Sequence, residues 1–141
     1  MQLLTAADEA AALESLHELG CTDGLPVVIP TPERVERMVL ASGYDGDLVL
    51  GEMGPQMGVA TVNMVATAAV MAGCLPDYMP VVLAAVNAVI DPAFDLAEMQ
   101  STTHCTAPLI IVNGPARESL SLIHISEPTR PMKESRMAWA A

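Results

Sequence analysis

The chain reads as an α/β fold, the N-terminal part of a layered domain with short parallel strands, and three observations lead there. Short apolar runs alternate with longer segments that carry helix caps and helix formers. The last of these runs, Ala107-Pro-Leu-Ile-Ile-Val112, is continuous rather than alternating, as inner strands covered on both faces are. The stretch up to Ser119 is also short for closing such a sheet, so a truncated sheet is expected.

The elements follow in order. Thr5-Ala-Ala-Asp8 offers a capping box for a helix over Ala6 to Leu19, and Gly20 can end it. Cys21 to Pro26 is turn chemistry leading into a strand at Val27-Val-Ile29. Thr31-Pro-Glu33 then supplies an N-cap, a proline at the first helical position and an acidic first turn for a helix to about Ala41. Leu48-Val-Leu50 reads as a second strand. Gly51 to Gly58 reads as a glycine-rich connection from that strand into a helix over Thr61 to Ala72. Asp77 starts another helix, from about Met79 to Ile90, which Asp91-Pro92 stops, and a helical turn follows at Leu96 to Met99. The strand Ala107 to Val112 is closed by Asn113-Gly-Pro115, so the predicted order is α-β-α-β-α-α-β.

The remainder is treated separately. Leu120-Ser-Leu-Ile-His-Ile-Ser-Glu-Pro-Thr-Arg130 resembles one reading frame of a transposase-type library adapter, and Ser135-Arg-Met137 resembles that frame resumed after a short index. This stretch also holds the only lysine, Lys133, the only tryptophan, Trp139, and three of the six basic residues. We therefore divide the chain into 1–119, the N-terminal fragment of one α/β domain, and 120–141, a non-native and disordered tail that carries no functional weight.

Composition excludes several partners. Residues 1–119 set fifteen acidic side chains against Arg34, Arg37 and Arg117, so no basic patch for nucleic acid or an anionic membrane can be assembled. Aromatics are limited there to Tyr44, Tyr78 and Phe94, too few for a base-stacking platform. Cys21, Cys74 and Cys105 are odd in number, show no CxxC spacing and follow no leader-like segment, which points to a reducing, cytoplasmic setting. The apolar stretch from Val59 to Ile90 is split by Gly73 to Pro80 into runs too short to span a membrane. Helices apolar on all sides belong in a core or at a subunit interface, so a homo-oligomer or a partner subunit is expected.

Ligands of open α/β sheets gather at the carboxyl ends of strands. By that rule Gly54, with Gly51 and Gly58, offers backbone N–H groups to an anion, though the spacing fits neither the dinucleotide fingerprint nor the P-loop, and turn glycines explain it as well. Asn113 ends the strongest strand, where a substrate would be held or a plain turn would lie. Cys74, after Gly73 and before the Asp77 helix start, is placed as reactive thiols are, while a packed, inert thiol is the commoner case for a free cysteine. Cys21, beside Asp23 in a turn, is the weaker thiol candidate. His104 is a loop histidine open to acid/base duty or to a structural role, while His17 on the first helix reads as solvated. No ligand spacing links Cys74, His104 and Cys105 into a metal site, and no cofactor is identified.

Three segments carry a resemblance: Gly20-Cys-Thr-Asp-Gly-Leu-Pro-Val-Val-Ile-Pro-Thr-Pro-Glu-Arg-Val35, Val70-Met-Ala-Gly-Cys-Leu-Pro-Asp-Tyr-Met-Pro-Val-Val-Leu83 and Thr103-His-Cys-Thr-Ala-Pro-Leu-Ile-Ile-Val-Asn-Gly-Pro115. Together they resemble a bacterial family associated with UGSC-type (seleno)proteins and thiol oxidoreductases, although the UGSC motif itself is absent. The resemblance draws attention to Asp23, Cys74 and Asn113 and implies no particular reaction.

Two expectations follow. In the first, the chain is a fragment of a small-molecule enzyme doing thiol-dependent redox or carbon–heteroatom chemistry, itself inactive. Cys74 and His104 are then catalytic, and Asp23, Gly54 and Asn113 bind substrate. In the second it is a non-catalytic scaffold or oligomerisation subunit with inert cysteines.

Overall fold

The computed structural model describes residues 4–22 and 24–120. Asp23 and residues 121–141 lie outside the described residues. The chain forms two compact units, Met1–Ile110 and Ile111–Ala141.

The first unit is α/β in composition, with a small sheet and a helical core. Helix α1 spans Glu9–Glu18, and its cap is Asp8 rather than Thr5: the Asp8 carboxylate accepts the Ala11 N–H at 2.8 Å. Helix α2, Pro32–Ser42, has the expected Thr31 cap, proline first turn and a left-handed Gly43 at its end (φ 73°). Strands β1 (Val49–Met53) and β2 (Gly58–Thr61) then pair antiparallel. Thr61 closes β2 and at once caps α3, Val62–Met71, its hydroxyl accepting the Met64 N–H. A 3-10 turn at Pro76–Tyr78 leads into α4, Met79–Ile90. A second 3-10 turn, Pro92–Phe94, leads to α5, Leu96–Ser101, capped by Asp95.

Three expectations need correction. The sheet is antiparallel, not parallel, because the Gly51 to Gly58 segment is a hairpin instead of a strand-to-helix connection. Val27–Ile29 is not a strand: its backbone runs beside the end of α3, with the Val28 N–H donating to the Met71 carbonyl. The run 107–112, the strongest strand signal, joins no sheet among the described residues, and Leu109 and Ile110 are 83% and 60% exposed. β-Branched residues favour a strand only where a neighbour accepts the backbone and the side chains have a surface to cover.

The core lies where α2, α3 and α4 meet. Val35 and Met38 of α2, Val62, Val65, Ala66, Ala69 and Val70 of α3, and Met79 and Leu83 of α4 form one buried cluster. Small residues on α3 let its neighbours approach closely. The ladder is irregular between Val49 and Gly51, and Leu50, the residue in that gap, packs against the helical core. Beyond Gly51, α4 comes so close that a Cβ there would lie 2.6 Å from the Ile90 Cγ2 atom. Among the described residues no single helix is long and apolar enough to cross a membrane; Pro76–Ile90 and Pro92–Ser101 reach that character only as a pair bent by 67°.

Of the second unit, residues 111–120 are described. Gly114 (φ 80°) turns the chain into a short helix, α6, over Pro115–Ser119.

Candidate functional site

The two helices that end in Gly-Cys are finished by the same local device. After α1, the N–H groups of Gly20 and Cys21 donate to the carbonyls of His17 and Leu16, each at 2.9 Å. After α3, Gly73 and Cys74 donate to Val70 and Ala69, again at 2.9 Å. Both are Schellman motifs, which need a left-handed residue just past the helix, and Gly20 (φ 70°) and Gly73 (φ 79°) supply it. The backbone of each cysteine is thereby fixed three residues beyond the last residue of its helix.

Their surroundings differ. Cys74 is half-buried and packs against the core cluster. Cys21 is exposed and lines a cleft of about 670 Å³ between α1, the Ile29–Arg34 segment and the end of α3. That volume falls within the range of ordinary small-molecule sites, roughly 300–1,000 Å³. Leu16, Ile29 and Met71 give the cleft an aliphatic lining, and among the described residues its charged groups are Asp8, Glu9 and Arg34.

The polar groups of this cleft divide into engaged and open ones. Ser15 donates to the Ala11 carbonyl, and Asp8 is tied to the start of α1. Thr31 caps α2 and also hydrogen-bonds Glu33, whose carboxyl is held below the ordinary carboxylate range first by its own backbone N–H and then by that hydroxyl. Arg34, half-buried, spends one guanidinium N–H on the Ile29 carbonyl at 2.8 Å. Among the described residues it has no ion-pair partner, although the chain's net charge is −11. A guanidinium has five donors in a planar fork, so most remain for a ligand.

The other sequence candidates are placed as follows. His104 is exposed in the loop after α5, with Thr102 as its neighbour: the two side chains approach to 3.5 Å and the His104 N–H donates to the Thr102 hydroxyl. Gly54 stands at the hairpin turn, where α5 comes against it. Gly51 and Gly58 are ladder residues, so the three glycines do not form a cradle at a helix start. Asn113 is exposed in the second unit, just before Gly114. Asp23 lies outside the described residues. No three His, Cys, Asp or Glu side chains among the described residues are gathered closely enough to hold a metal ion.

Arg34 and the cleft itself were not legible as a site in the sequence. The repeated Gly-Cys pairs at 20–21 and 73–74, each directly after a helix, were the available signal. No family model, curated protein or solved structure matches the chain.

Proposed function

We propose that this chain provides the ligand-holding part of an enzyme that acts on a small molecule through thiol-dependent redox or carbon–heteroatom chemistry, with Cys21 as the thiol. The observation that carries this reading is the cleft, whose lining includes an exposed thiol, aliphatic side chains and a guanidinium with no ion-pair partner among the described residues. A thiolate is the nucleophilic form of cysteine, and a site that captures the substrate next to it raises its effective concentration. Cys74, packed on the core, serves structure in this reading, and His104 in its loop is not needed to form the cleft.

The competing reading is a non-catalytic subunit that associates with a partner or with copies of itself. Its support is the apolar surface left outside the core, such as Leu40 at 73%, Leu75 at 58% and Met64 at 57% exposure.

Site-resolved alkylation with iodoacetamide separates the two. The enzyme reading expects Cys21 to react at least about tenfold faster than Cys105, which is also exposed but is not in the cleft lining, with Cys74 slowest. Equal rates at Cys21 and Cys105 would leave the scaffold reading standing.

A further inference from the structure

We infer that the cleft takes a small aliphatic molecule carrying both a carboxylate and an ammonium group, an amino acid with an unbranched apolar side chain or a close relative. This deepens the enzyme reading above and rests on the same cleft. Among the described residues, the charged groups lining the cavity are one cation, Arg34, and two anions, Asp8 and Glu9. A ligand bearing only a carboxylate would meet Arg34 and be opposed by the two acids; a ligand bearing only an amine would leave the guanidinium unpaired. A zwitterion satisfies both.

The individual groups support that division. Arg34 is free of ion pairs among the described residues, and its planar fork matches the two oxygens of a carboxylate. Among the described residues Glu9 makes no side-chain hydrogen bond or ion pair, while Asp8 keeps acceptor capacity beyond its bond to the Ala11 N–H. In the same lining Leu16, Ile29 and Met71 supply an aliphatic surface, suited to a flexible alkyl chain. A phosphate ester is a poorer match. Its second negative charge would add to the repulsion from Asp8 and Glu9.

The test uses the full chain and four probes with six-carbon skeletons, L-norleucine, hexanoate, hexylamine and hexyl phosphate, titrated by calorimetry at neutral pH. L-Norleucine is expected to bind at least about tenfold more tightly than either single-charge probe, the loss attached to one charge-assisted contact. Arg34→Gln should reduce L-norleucine to the level of hexylamine, and Arg34→Lys should recover part of the difference while the melting temperature reports on folding. Hexanoate or hexyl phosphate binding as tightly as L-norleucine, or no binding by L-norleucine, overturns the assignment. Protection of Cys21 from iodoacetamide keeps the two claims apart. A fast Cys21 that L-norleucine fails to slow overturns the ligand class alone, whereas a Cys21 no faster than Cys105 overturns the thiol role and leaves the calorimetry to decide the ligand.

Discussion

Met38→Ala is expected to destabilise the protein by about 2–5 kcal/mol, the cost of emptying a fully buried methionine site that closes only in part. Met38 is 1% exposed and sits on α2 among the buried residues of α3 and α4. Alanine is the best helix former, so α2 itself loses nothing and the measured loss belongs to packing. A domain's total stability is about 5–15 kcal/mol, so a loss of this size moves the urea midpoint a long way. Leu40→Ala on the same helix is the control: at 73% exposure it should change stability by less than about 0.5 kcal/mol. Similar losses for the two variants would mean that α2 does not bury the face assigned to it.

Gly54→Val has the second large expected effect. A Cβ at Gly54 would stand 2.7 Å from the Ala97 Cβ, 2.9 Å from its Cα and 3.0 Å from its N. These are backbone-anchored atoms of α5 and cannot swing aside, so hairpin or helix must move, at a cost of about 1–3 kcal/mol. Gly58→Ala, at the other end of the same turn, meets nothing within 4 Å and should cost less than about 0.5 kcal/mol. Denaturant unfolding of the pair would show whether Gly54 is required for close approach, a structural role in place of the anion-binding one its glycine-rich setting suggested.

That contrast shows where the sequence was legible. Helices with local punctuation could be read: Thr31-Pro32 before α2, Gly43 after it, Thr61 before α3 and Asp91-Pro92 after α4 act within a few residues and do not depend on the rest of the fold. Strands could not be read as well, because pairing is decided at a distance. Val27–Ile29 and 107–112 have strand-like composition and no strand partner among the described residues, while Gly58–Thr61, which contains one large aliphatic residue, pairs with β1 across the turn. The glycines at 51, 54 and 58 read as a loop because glycine marks turns, ladder irregularities and close approaches alike. The cleft escaped notice for a related reason. Leu16, Cys21, Arg34 and Met71 come from four places in the chain, and only the folded chain brings them to the lining of one cleft.

The most direct measurement compares iodoacetate with iodoacetamide at Cys21 and Cys105 of the same folded chain, site by site. The two reagents differ by one carboxylate. On a protein of net charge −11 the anionic reagent should be disfavoured at an ordinary exposed thiol such as Cys105. If the cleft recruits a carboxylate through Arg34 beside Cys21, the iodoacetate-to-iodoacetamide rate ratio at Cys21 exceeds that at Cys105 by about fivefold or more, and Arg34→Gln removes the excess. Equal ratios at the two cysteines, or an excess that survives Arg34→Gln, would contradict a ligand site built from Arg34 and Cys21.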